Sequence, residues 1–143
     1  SSDLNALRAL HKDANLIGEF DRIFKISGRY LLDERFDLGF YGDYKNKHCI
    51  VIGPKKESQF PYQVTQVEGQ YMSRLWSWPA NQTHQVLDSY NEGFVAMAEH
   101  IHAGGYFDIE HMLYAYLPKE LVNEIPSVGL RGLLGPTGAT IED

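Results

Sequence analysis

The segment Ile23-Phe24-Lys25-Ile26-Ser27-Gly28-Arg29-Tyr30 sets a lysine, a hydroxyl and a guanidinium at alternate positions. In an extended chain Lys25, Ser27 and Arg29 share one face, and such a set can hold a phosphate or sugar hydroxyls. An ion pair from Arg29 to Asp33 or Glu34 is the competing use of that guanidinium. In Tyr71-Met72-Ser73-Arg74-Leu75-Trp76-Ser77-Trp78, alternation puts Arg74, Trp76 and Trp78 on one side of a strand. Two indoles and a guanidinium can stack on a sugar ring, and two indoles serve equally well as core. Asp108-Ile109-Glu110-His111 opens a helix, so Glu110 and His111 fall in its first turn. There a carboxylate can act as a base, or simply complement the helix dipole.

Other chemistries have no sequence support. There is no Gly-x-Ser-x-Gly, no Walker loop, no Gly-x-Gly-x-x-Gly and no Asp-x-Asp pair. His100 and His102 sit two residues apart, which on a helix turns their side chains about 200° from each other, so no metal site is expected. The single cysteine, Cys49, excludes an internal disulfide and a cysteine-based zinc cluster. Its neighbours Ile50-Val51-Ile52 predict a small buried hydrophobe, in keeping with a reducing, cytoplasmic setting. Asn81-Gln82-Thr83 matches a glycosylation sequon and is read as chance.

The elements that must position these residues follow from periodicity. A short helical period covers residues 4–12 through Leu4, Leu7, Ala9 and Leu10. Apolar and polar residues alternate over 20–26, the mark of a strand with one buried face, and Ser27 to Tyr30 suits a loop at its end. A second strand is expected from Lys47 to Gly53, with a solvated turn over 55–58. Residues 63–78, bracketed by Pro61 and Pro79, predict two further strands separated at Gly69. From 84 to 102 the period changes: Val86, Leu87, Tyr90, Phe94, Met97, Ala98 and Ile101 recur every three or four residues, an amphipathic helix stopped by Gly104-Gly105. A shorter helix from Asp108, an N-cap residue, ends near Pro118. Residues 128–135 read as a glycine-punctuated strand or loop. The expected fold class is α/β or α+β, a single domain over 1–143 with a mixed sheet.

Composition narrows the partners. The chain has 143 residues, 43% hydrophobic and 22% charged, ordinary for one globular domain. Thirteen Lys+Arg against 19 Asp+Glu give a net charge of −6, which opposes bulk electrostatic binding of nucleic acid. No apolar run reaches the roughly 18 residues of a membrane span, and no basic start leads into an apolar stretch.

The block Asp21 to Leu32, followed by Phe36, resembles the "IFKISGRY-L---F" stretch of uncharacterised glycosyltransferase-like proteins of bacteria and phages, which are associated with surface-glycan synthesis. Asp108-Ile109-Glu110-His111 and Val128-Gly129-Leu130-Arg131-Gly132 are similar to the C-terminal part of that group. The resemblance implies the C-terminal portion of a GT-A-like transferase that binds a sugar nucleotide or glycan acceptor. It places Lys25, Ser27, Gly28, Arg29 and Tyr30 near that ligand and makes Glu110, with His111, the candidate base. Arg29 and Lys25 become the phosphate-side cations, and a divalent metal is allowed by resemblance only. Two rivals use the same residues differently: a non-catalytic carbohydrate-binding module built on the aromatic strand, and a structural or assembly module in which the motif is a core strand.

Overall fold

The computed structural model describes residues 5, 9, 12, 18–133 and 138–143. Of the residues that carry the helical period expected over 4–12, Ala9 is helical, and Leu4, Leu7 and Leu10 lie outside the described residues. In chain order the strands are β1 (Arg22–Ile26), β2 (Tyr30–Leu32), β3 (Ile50–Ile52), β4 (Lys56–Glu57), β5 (Gly69–Gln70), β6 (Leu75–Pro79), β7 (Val122–Glu124), β8 (Leu130–Leu133) and β9 (Thr140–Glu142). The helices are α1 (Leu38–Gly42), α2 (Tyr62–Thr65), α3 (Thr83–His102) and α4 (Ile109–Tyr116).

Four strands make the main sheet in the order β1-β6-β3-β7. β6 runs antiparallel to both neighbours, whereas β3 and β7 are parallel, so the sheet is mixed as the sequence predicts. β2, β8 and β9 form a second, antiparallel sheet, and β4 pairs with β5.

Alternation along β6 divides the apolar residues between two cores. Trp76 and Trp78 join Ile50 and Ile52 beneath Val86, Leu87 and Tyr90 of α3 and Met112 and Leu113 of α4. Leu75 packs instead with Val128, Leu130, Phe24 and Phe36. Asp108 caps α4 as its residue type predicts, its carboxylate accepting from the N–H groups of Glu110 and His111. The two helices meet closely at Gly93, where a Cβ would lie 1.8 Å from Cγ of Met112. Met112 is buried and cannot retreat far. Gly93→Ala is therefore expected to cost about 1–3 kcal/mol by overpacking, read as a lower urea midpoint at unchanged slope.

Several expectations are corrected. Residues 62–65 are a helical turn, not strand. Pro61 precedes it at a φ of −58°, a value proline fixes and a helix start tolerates. Gly69 begins β5 rather than separating two strands, and its partner β4 lies where a solvated turn was expected. Cys49 is only half-buried, because it sits just before β3, where the chain has not yet entered the core, with its thiol donating to the carbonyl of Lys45.

Candidate functional site

Lys25 lies on β1 and Ser27 just past its end. Lys25 Nζ donates to Ser27 Oγ at 3.0 Å and to the carbonyl of Ser73 at 2.7 Å. Ser73 then turns to the other side of the cluster. Its N–H and its hydroxyl donate to Glu110 Oε1 at 3.2 and 3.3 Å, while Gln70 Nε2 donates to Glu110 Oε2 at 3.1 Å. The first helical turn and the Lys-x-Ser motif, far apart in sequence, thus meet through Ser73. The chain 71–74 is positioned for this by Tyr71, whose N–H donates to the carbonyl of Glu110 at 3.0 Å.

Arg29 does not join them. The N–H of Tyr30 donates to the carbonyl of Ser27 at 3.1 Å, closing a turn that ends the period-two face after Ser27. Gly28 sits exposed in that turn. Arg29 is exposed beside Leu31, Arg131 and Leu133 of the second sheet. Nor is it paired with Asp33 as one reading allowed, since that carboxylate is held by Arg35, with Nε donating to Oδ1 at 3.1 Å. The hydrogen bonds from Arg35 keep the Asp33 carboxyl below its ordinary range.

Trp76 and Trp78 are core, each 1% exposed, with ring centroids 4.7 Å apart. They share a face as alternation predicts, but α3 covers that face, so they present no stacking surface to a ligand. Their companion Arg74 precedes the strand and does reach a cleft. It pairs with the Asp143 carboxylate and lies 5.7 Å over the ring of Tyr30. Burial pulls the Arg74 pKa down, but hydrogen bonding and charge from Asp143, with Tyr30, together outweigh it and leave the guanidinium above its ordinary value.

The cleft has a volume of about 220 Å³ and is lined by Gly53 and Pro54 after β3, Pro126 and Ser127 after β7, and Met72, Arg74 and Leu75. It therefore sits beyond the carboxyl ends of the two parallel strands, the place where open sheets of this kind expose backbone and hold ligands. Arg35 and Lys56 complete a set of three cations there with Arg74. Glu142 and Asp143 offset them: Lys56 Nζ is 3.5 Å from Asp143 Oδ1, and Arg35 Nη1 is 3.8 Å from Glu142 Oε2.

His111 departs from its neighbour. Its side chain is 1% exposed and turns away from Glu110, with Nδ1 2.7 Å from Asp108 Oδ1 and Nε2 2.9 Å from Ser58 Oγ. Sequence reasoning missed Ser58, Ser73, Arg35 and Lys56, whose roles arise only from long-range contacts and carry no local motif.

Among the described residues no group of three His, Cys, Asp or Glu is placed to hold a metal ion. No helix among them is long and apolar enough to cross a membrane. His100 Nδ1 donates to the carbonyl of Ala96 and the ring stacks on Phe107, while His102 lies exposed at the end of α3. Comparison with protein-family models, with curated proteins and with solved structures finds no match for this chain.

Proposed function

We propose that this chain is a glycosyltransferase-like domain that binds a sugar nucleotide and passes the sugar to a glycan acceptor, in surface-polysaccharide synthesis in the cytoplasm. The observation that carries the reading is the convergence of Lys25, Ser27 and Glu110 through Ser73, one residue from Arg74 and the cationic cleft. A transfer of this kind needs a base for the acceptor hydroxyl and positive charge for the departing diphosphate. Glu110 is the base. Lys56 and Arg74, with Arg35, take over the phosphate-side role that the sequence assigned to Arg29, and Lys25 orients Ser27 and Ser73 rather than facing the ligand. The carbohydrate-binding alternative depended on exposed indoles, and Trp76 and Trp78 are buried.

A ligand that binds only the folded state at a hundred times its Kd adds about 2.7 kcal/mol to stability, enough to raise the melting temperature by several degrees. Nucleoside diphosphates and sugar nucleotides are therefore expected to raise it, and Lys56→Gln to remove most of the rise without changing the unliganded melting temperature. Lys56 is exposed, so its truncation is structurally mild. A melting curve unmoved by every nucleotide tested overturns the reading.

A further inference from the structure

Ser58, His111 and Asp108 stand apart from the cleft and answer a different chemical requirement. A serine becomes a nucleophile when a base sits within hydrogen-bond reach of its hydroxyl and a third group fixes that base. Here Ser58 Oγ is 2.9 Å from His111 Nε2, and His111 Nδ1 is 2.7 Å from Asp108 Oδ1. With the carboxylate on Nδ1, that nitrogen carries the proton and Nε2 is left as the acceptor facing Ser58. Asp108 is itself held from both sides, since Oδ1 accepts from the N–H groups of Glu110 and His111 and Oδ2 accepts from the Tyr106 hydroxyl at 3.0 Å. The imidazole is buried on the same helical turn that its partner caps, so its orientation is fixed before any substrate arrives.

The surroundings suit an apolar acyl group. Phe60 and Tyr106, each 39% exposed, pack against one another with centroids 4.3 Å apart and flank the imidazole at 6.4 and 6.0 Å. The N–H of Phe60 donates to Ser58 Oγ at 3.2 Å and so helps fix the position of the hydroxyl. The Phe60 carbonyl, 2.8 Å from Oγ, competes with His111 for the hydroxyl proton at rest.

We propose that Ser58 is the nucleophile, His111 the general base and Asp108 the positioning residue of a second reactive site, which hydrolyses carboxylic esters with an aromatic or other apolar acyl group. Ser58 Oγ bonds to the carbonyl carbon as its proton passes to Nε2. The bond to the leaving alkoxide then breaks and Nε2 returns that proton to it, giving free alcohol and acyl-Ser58. Water, deprotonated at Nε2, releases the carboxylic acid and restores the serine.

The test is reaction of the full chain with a fluorophosphonate bearing an aromatic group, followed by peptide mass spectrometry and by release of nitrophenol from an aromatic nitrophenyl ester. The expected result is an adduct on Ser58, lost in Ser58→Ala, and ester hydrolysis lost with it. Asp108→Asn is expected to slow the rate constant of adduct formation by about 10²–10⁴-fold while the final extent per folded chain stays the same. A merely structural Asp108 would lower the extent and leave the rate constant alone. His111→Gln empties a buried site and can unfold the chain, so the wild-type adduct and the Asp108→Asn rate decide. Folded wild-type protein that stays unmodified at Ser58 in excess probe, or an Asp108→Asn rate equal to wild type, overturns the proposal.

Discussion

Trp78→Ala is expected to lower the stability of this chain by about 3–5 kcal/mol, a large part of the 5–15 kcal/mol that holds a typical domain together. The indole is enclosed between β6 and α3, next to Trp76, and its removal leaves a cavity that strands paired on both sides of β6 cannot collapse to fill. Urea denaturation followed by circular dichroism reads the loss as a shifted midpoint. Phenylalanine at the two positions separates packing from hydrogen bonding. Trp78 Nε1 donates to Thr83 Oγ1 at 3.1 Å, whereas Trp76 Nε1 is buried without a partner among the described residues. Trp78→Phe therefore loses a bond and leaves an incompletely partnered hydroxyl, while Trp76→Phe discards a donor that was already unsatisfied. Trp78→Phe should cost about 1 kcal/mol more than Trp76→Phe. Equal losses would mean that the Thr83 bond contributes nothing.

Glu110→Gln is expected to reduce sugar transfer by about 10²–10⁴-fold if Glu110 is the base of the proposed reaction. It also has a stability effect that follows from geometry alone. Gln70 Nε2 donates to Glu110 Oε2, and Gln70 cannot turn over, because its Oε1 accepts the N–H of Gln59 at 2.9 Å. A glutamine at 110 then sets two amide NH₂ groups against each other, or leaves the Ser73 donors unpartnered. Loss of a hydrogen bond to a charged group costs about 1.5–3 kcal/mol. Transfer must accordingly be measured well below the variant's melting temperature, with nucleotide binding as a second readout. Full activity in a folded Glu110→Gln chain would remove Glu110 from the reaction, and unchanged stability would remove it from the network.

The parts of the fold that repeat locally were legible in the sequence. The 3.6-residue period over 84–102 is α3, the alternation over 20–26 is β1, and Asp108 is the cap it resembles. The short pieces were not. β3 and β7 pair in parallel across Val51 and Asn123, and three-residue strands carry too little pattern to announce such a partner. The tryptophans show the same limit from the other side. Alternation put Trp76 and Trp78 on a common face correctly, but which face is covered depends on where α3 docks. Arg29 was misplaced because period-two reasoning was carried through a turn. Lys25, Ser27 and Glu110 were singled out, and Ser73, the residue through which they meet, has no motif of its own.

The pairing pattern of the main sheet has a kinetic consequence. β1 meets β6 with Arg22 opposite Pro79, and β3 meets β7 with Ile50 opposite Val122, so the chain must close long loops before either ladder forms. Loop closure is an entropic cost met before the contacts that reward it, and rates fall as contacts become less local. The local partners available early are α3 with α4, joined by a short connection and sharing the Gly93–Met112 contact, and β8 with β9, where Leu133 faces Thr140. A refolding chain should therefore gain helical signal on the α3–α4 hairpin ahead of the main sheet. Until β1 arrives, one edge of β6 stays open, and the interval in which Trp76 and Trp78 are only half covered is when this chain is most exposed to association with its own copies.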